Sequence, residues 1–356
     1  MNPKALLRLV PILLAACFCG WQFSLAATGP LGSRLVAGAG GPSGPRPAEL
    51  AAQAQKTLDP AAWGGNHVGK PIPDYVHGDE CLFCHRNDIG PGWQKNAHGL
   101  TIREKEDAPE FVAVVKAQPG LSSVAADIEY FMGSRHRVRF LKKEGYGKFA
   151  LLSTQAVLDQ NKHAADWIDL ARPAWDTQTF SAQCAGCHTT AVDPKGVFSA
   201  FGLDCYTCHG DVNLQHTGDT SLIFLSKKSK KDPKAIEATC ASCHLRLAAK
   251  SKSTGLSWPN NFVPGDNLFQ DYQVDFSKAD DASLNPGDRH IFQNVRDVAL
   301  NGQDFPTCLT CHQVHTNSTE KHKRAPQSQM CFDCHNTNDS YKSVKPYTVK
   351  SALCQY

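Results

Sequence analysis

Methionine is the side chain this sequence has least of: three in 356 residues, and Met1 is lost with the leader, leaving Met132 and Met330. Metal chemistry built on thioether ligands is therefore nearly excluded. Charge of one sign is lacking too, because 37 Lys and Arg stand against 34 Asp and Glu and no acidic or basic tail stands out. By itself that balance argues neither for nor against nucleic acid, and no nucleic-acid partner is expected. Cysteine outside a single pattern is also scarce. Of the 15 cysteines, only Cys17, Cys19 and Cys354 lie outside it.

The pattern is C-x-x-C-H, and it occurs six times: Cys81/Cys84/His85, Cys184/Cys187/His188, Cys205/Cys208/His209, Cys240/Cys243/His244, Cys308/Cys311/His312 and Cys331/Cys334/His335. With this many Cys and His, roughly 0.03 occurrences would arise by accident. Cysteines three apart share one face of a helical turn, so both sulfurs can reach the two vinyl groups of one porphyrin while the next His ligates its iron. The pattern reads as covalent attachment of c-type haem, six in all. Half-sites for zinc or a disulfide framework would not require a His directly after the second Cys every time.

The N-terminus carries Lys4 and Arg8, then an apolar run from Leu9 to Phe23, then Ser24, Ala26 and Ala27. That is a secretory signal. Cleavage after Ala26 is preferred; lipidation at Cys17 in Leu14-Ala15-Ala16-Cys17 and an uncleaved membrane anchor are the rivals. All three place the remainder in the periplasm or outside the cell, where c-type haem is attached. The expected division is signal 1–26, a Gly/Pro/Ala-rich tether 27–59, a hexahaem domain 60–345 and a tail 346–356. Cys354 has no assigned role.

The gaps from each motif His to the next Cys are 98, 16, 30, 63 and 18 residues. The gaps of 16 and 18 suggest close pairs of the second with the third haem, and of the fifth with the sixth. From Cys184 to His335 there are about 30 residues per haem, few for an ordinary apolar core. The expected fold is therefore mainly α with extensive loops around a stacked multihaem core. A small β element is expected between the first and second motifs, as two strands in Arg137 to Ser153 joined at Glu144-Gly145. Ala108 to Gly120 and Ser122 to Gly133 read as helices, and the stretch from His244 to Cys308 as extended loop.

Each iron has a second axial position whose occupant separates electron transfer from catalysis. Met330 abuts Cys331 and is poorly placed to cap that haem. Nine His lie outside the motifs. Distal candidates are His98, His136, His216, His290, His315 and His322, with His315 held by one attachment turn while pointing at a neighbouring haem. His322 sits among Lys321, Lys323 and Arg324, so a solvated His is the competing reading, and His77 could replace it. His67 and His163 are expected to be ordinary structural His. Bis-His iron implies low potential.

The succession W-x(4)-H (Trp93, His98), YFMGSRH, CAGCHTT, CYTCHGD with a following His, CASCH, FVPGD (Phe262 to Asp266), CLTCHQVH and CFDCH resembles the multihaem c-type cytochromes. More narrowly, Asp79 to Asn336 is similar to the superfamily of the tetrahaem cytochrome of ammonia oxidation and the octahaem hydroxylamine oxidoreductases. The resemblance implies distal roles for His136, His216 and His315. No motif carries Lys in place of His, the substitution that marks the active haem of pentahaem nitrite reductases.

The expected function is transfer of single electrons between redox protein partners, with no catalytic side chains and no enzyme activity assigned. An alternative is a haem enzyme with one open iron acting on a small nitrogen or sulfur compound, with Arg135, Arg137 and Arg139 drawing an anion. A second is a polymerising extracellular cytochrome, whose self-association would supply a distal His from the next copy. Membrane association through the N-terminus is a further expectation.

Overall fold

The long gap after the first motif folds into a six-stranded antiparallel sheet, which places the second motif. A computed structural model describes residues 72–133, 135–210, 212–226, 232–245, 255–301 and 306–323. The leader, tether, tail, His67, Cys354 and the sixth motif, with Cys331, Cys334 and His335, lie outside the described residues.

Helix α1 (Gly78–His85) carries the first motif. Strand β1 (Ile102–Glu104) follows, then helix α2 (Pro109–Lys116) and strands β2 (Tyr130–Met132), β3 (Arg137–Gly145), β4 (Lys148–Leu158), β5 (Ala164–Ile168) and β6 (Trp175–Asp176). The order is β1-β2-β3-β4-β5, and β6 also pairs with β4. The β3–β4 hairpin turns through Tyr146-Gly147, since Gly145 pairs with Lys148. Gly147 has φ +62°, and a Cβ there would lie 2.3 Å from the Phe198 carbonyl oxygen. Only glycine meets both conditions.

Alternation along the strands supplies two apolar faces. Val138, Phe140, Leu152, Ala156 and Leu158 face one way and bury Phe111, Val114 and Val115 of α2. Met132, Leu141, Phe149 and Leu151 face the other way and pack on Phe180, Ala185, Val192 and Phe198. Those residues flank the second motif, in α3 (Ala185–His188) and the hairpin β7 (Thr189–Val192) and β8 (Phe198–Phe201). The next three motifs sit on α4 (Tyr206–His209), α5 (Pro233–His244) and, after α6 (Pro286–Val295), on α7 (Cys308–Cys311).

The mainly α expectation is wrong. Among the described residues, helix accounts for 37% and strand for 19%, and the strands include a six-stranded antiparallel sheet. Ser122 to Gly133 does not form the expected helix: it gives a 3-10 turn at Ala125–Asp127 and then β2, because β2 finds β1 and β3 as hydrogen-bonded neighbours. A side-chain core also exists where stacked haem alone was expected. In the stretch read as loop, α6 and its neighbours form a second cluster with Ala238, Ala241, Leu245, Leu268, Tyr272, Phe292 and Val295. Asn285 starts α6 by accepting the Gly287 N–H at 2.8 Å ahead of Pro286.

Candidate multihaem site

Each described motif ends on a helical turn, as its spacing requires. α1, α3, α4 and α5 all finish on their motif His, and His312 follows α7 directly. α5 begins with Asp232 capping the Lys234 N–H at 2.9 Å and Pro233 in the first turn. α7 begins with the reciprocal Thr307/Thr310 box. Among the described residues, the motif cysteines form no disulfide and keep the thiols that thioether attachment consumes. The described cysteines are those of the first five motifs; Cys331 and Cys334, the thioether positions expected for the sixth haem, and His335, its expected proximal ligand, are not among the described residues.

Two imidazoles on opposite sides of one metal ion need about 6.2 Å between ring centres, from about 2.0 Å of metal to nitrogen and about 1.1 Å of nitrogen to ring centre on each side. Three ring pairs have that separation. His85 and His216 stand 6.1 Å apart, His244 and His98 6.1 Å, and His209 and His315 5.9 Å. Each pair joins a motif His to a His outside the motifs, and each partner comes from the segment following a different motif.

The tautomers suit metal binding as well. His85 Nδ1 donates to Asp88 Oδ2 at 3.2 Å, His216 Nδ1 to the Asn213 carbonyl at 2.9 Å, and His98 Nδ1 to Asn96 Oδ1 at 3.0 Å. With Nδ1–H occupied, Nε2 keeps its lone pair. Burial pushes His98 below the ordinary histidine range. Burial, and then the neighbouring His315, push His209 down to about 4. The rings of His98 and His209 are thereby held in the neutral form that can ligate.

His312 has two neighbours. His322 bridges it through the backbone and stands 4.8 Å away ring to ring, closer than iron-spanning spacing. Burial, then His322, Lys321 and His290, push His312 down to about 4, so His290 also approaches this ring. His136 is exposed on the run into β3. His77 is a helix cap, its Nδ1 accepting the Asp79 N–H at 3.1 Å, and His163 is exposed beside Asp159. Arg135 and Arg137 are exposed, whereas Arg139 is half-buried near Cys184, with its guanidinium pushed down chiefly by burial.

The thiol of Cys81 lies near enough to that of Cys205 to shift its ionisation, and the same holds for Cys187 with Cys243 and for Cys240 with Cys308. The thiols thus adjoin from first to third, second to fourth and fourth to fifth motif. The second and third motifs, expected to pair, meet through Thr190 and Thr207, whose hydroxyl oxygens are 3.0 Å apart.

Residues 146–210 match the family described as cytochrome c554 and c-prime, and residues 300–340 match the doubled CXXCH motif. Covalently bound haem c is supported. Among solved structures, the chain is similar to the undecahaem cytochrome from the S-layer of Carboxydothermus ferrireducens, at 18% identity and a TM-score of 0.42. That likeness covers 76% of this chain and 44% of the other, so the match spans less than half of that protein. No curated protein matches. No helix of the described residues is long and apolar enough to cross a membrane.

Sequence reasoning missed Asn96, Asp204 and Glu237, which shape the site. Asn96 is buried and orients His98, and Trp93 lies parallel to the same ring at 6.4 Å. Asp204 binds Tyr75 and the Gly78 and Tyr206 N–H groups, tying the first motif helix to the third. Glu237 binds Cys308, tying the fourth motif to the fifth. An Asp directly before Cys205 and a Glu three before Cys240 were visible, but their partners lie 126 and 71 residues away in sequence.

Proposed function

We propose that the chain is an exported c-type cytochrome holding six haems and carrying single electrons between redox proteins. The observation that carries this reading is the set of three imidazole pairs at iron-spanning separation, each joining a motif His to a His from elsewhere. Bound haem supplies one-electron chemistry, and the chain supplies attachment, ligation and spacing.

The thioether residues are the twelve motif cysteines, with Cys331 and Cys334 holding the sixth haem, and the proximal ligands are His85, His188, His209, His244, His312 and His335. His216 serves as second ligand opposite His85, His98 opposite His244, and His315 opposite His209. His322 and His290 compete for His312. The irons so ligated are low-spin and of low potential. The leader directs export to the periplasm or beyond. For the reading of one open iron, Arg139 adjoins the motif cysteine Cys184, while Arg135 and Arg137 are exposed.

The test is visible and electron paramagnetic spectroscopy on the purified, exported protein. Low-spin irons that ignore carbon monoxide after reduction support the carrier. A high-spin fraction near one iron in six would move the assignment to an enzyme. Size-exclusion chromatography addresses self-association, and a filament would favour the polymerising form.

A further inference from the structure

Asn96 lies in the loop after the first motif and is 3% exposed. Its Oδ1 accepts from the His98 backbone N–H at 2.9 Å and from His98 Nδ1 at 3.0 Å. Its Nδ2 donates to the Val314 carbonyl at 2.9 Å and the Thr316 carbonyl at 2.6 Å. All four hydrogen-bonding capacities of the amide are used. The reverse orientation would set NH2 against an N–H donor and the oxygen against two carbonyls, so one orientation is fixed.

The two halves of this amide serve different rings. Oδ1 already accepts a backbone N–H, and an amide oxygen cannot donate, so His98 must carry its proton on Nδ1 and present Nε2 to the ring of His244. Val314 and Thr316 flank His315 on either side. With both carbonyls tied to one NH2 group, the backbone carrying His315 is fixed and the ring faces His209. The same two loops interlock elsewhere: the Ala97 N–H donates to Ser318 Oγ at 2.6 Å. A Cβ on Gly92 would fall 2.2 Å from the His315 carbonyl oxygen, which is backbone and cannot swing away.

We propose that Asn96 is a positioning residue for two haem irons at once, setting the tautomer of His98 opposite His244 and the placement of His315 opposite His209. The inference rests on the bis-His reading above. It makes the ligation of the third and fourth irons interdependent, through a residue that touches neither. Loss of an outer partner of a metal-bound imidazole weakens the metal site by about 10–100-fold, so both irons are expected to open together.

The experiment uses the full haem-loaded chain. Reference spectra for the individual irons come from His98→Met and His315→Met. In Asn96→Ala, the paramagnetic signals of both these irons are expected to change, with added imidazole or carbon monoxide binding both at least about tenfold more readily. Asn96→Asp keeps an acceptor for His98 and loses both donors, so only the iron opposite His315 is expected to open to added ligand. Gly92→Ala, which crowds the His315 carbonyl, is expected to do the same. The assignment is overturned if loaded Asn96→Ala perturbs one iron or none. Should that variant fail to load, Asn96→Asp decides: unchanged signals at the iron opposite His315 overturn the assignment. A wild-type chain without haem overturns the bis-His reading itself, which a loaded chain with unperturbed irons does not.

Discussion

Glu237 reaches from the helix of the fourth motif to the first cysteine of the fifth, its Oε2 lying 3.2 Å from Cys308 Sγ and its Oε1 2.7 Å from the Cys308 backbone nitrogen. The side chain is fully buried, and burial raises its carboxyl above the ordinary range despite the two Cys308 hydrogen bonds. Once Cys308 is a thioether it has no S–H to give, which removes one of those bonds and favours the protonated acid further. Arg296, on the turn packed against this helix, is engaged by Asp297 and Asp280. With haem bound at Cys308, an oxidised iron would favour the carboxylate and a reduced iron the acid, so reduction would be accompanied by proton uptake at Glu237. The potential of one haem is expected to fall as pH rises through this group's range, and the slope to flatten in Glu237→Gln. Potentiometric titration at several pH values checks this, and an identical slope in the variant would refute it.

His216 follows His209 by seven positions in sequence, yet its ring faces His85. Replacing His216 with Ala is expected to turn one iron high-spin and reactive to carbon monoxide after reduction. The affected iron should be that of the first motif. The same high-spin signal should therefore be missing from a variant that also lacks Cys81 and Cys84. Persistence of the signal in that combined variant would place His216 on another haem.

Phe149 packs its ring against Tyr130, Phe180 and Phe198, joining the sheet to the second motif. Phe149→Ala should cost about 3–5 kcal/mol. Thermal unfolding monitored by circular dichroism measures it. Because Phe180 leads directly into Cys184, haem occupancy of the second motif is expected to fall with it. Unchanged melting with unchanged occupancy would show that the sheet does not support the motif.

Burial, helped by His315, lowers His209 to about 4. A group whose folded value lies below its ordinary value of about 6.5 binds fewer protons folded than unfolded, so its contribution to stability is full above that value and is lost as pH falls towards 4. Were haem iron bound at Nε2, it would compete with the proton in the same direction. Low-spin absorption at the third motif is therefore expected to persist from pH 8 to pH 5 and to fade only below. An absorption pH titration tests this, and conversion near pH 6.5 would contradict it.

What the sequence made legible was local. The Cys, Cys, His triplets of the first five motifs fall on helical turns whatever the surrounding fold, because the spacing acts within five residues. His315, expected to point to a neighbouring haem, has its ring 5.9 Å from that of His209, and the rings of His98 and His216 likewise lie 6.1 Å from motif rings. His136, a distal candidate both by its place near turn residues and through the resemblance, lies exposed. The sheet was only half legible. β3 and β4 alternate clearly, but Tyr130–Met132 and Trp175–Asp176 are too short for a period to show, and they become strands because edges of the sheet await them. Asn96 was invisible for a related reason: its partners at 314 and 316 lie more than 200 residues away, and only folding brings them together.

The central claim is that the motifs carry iron porphyrin covalently. Intact-mass measurement of the exported chain, with its absorption spectrum, tests that most directly. The expected result is a coloured protein heavier than its polypeptide by six haem groups. A colourless chain whose mass equals that of its amino acids alone would contradict it.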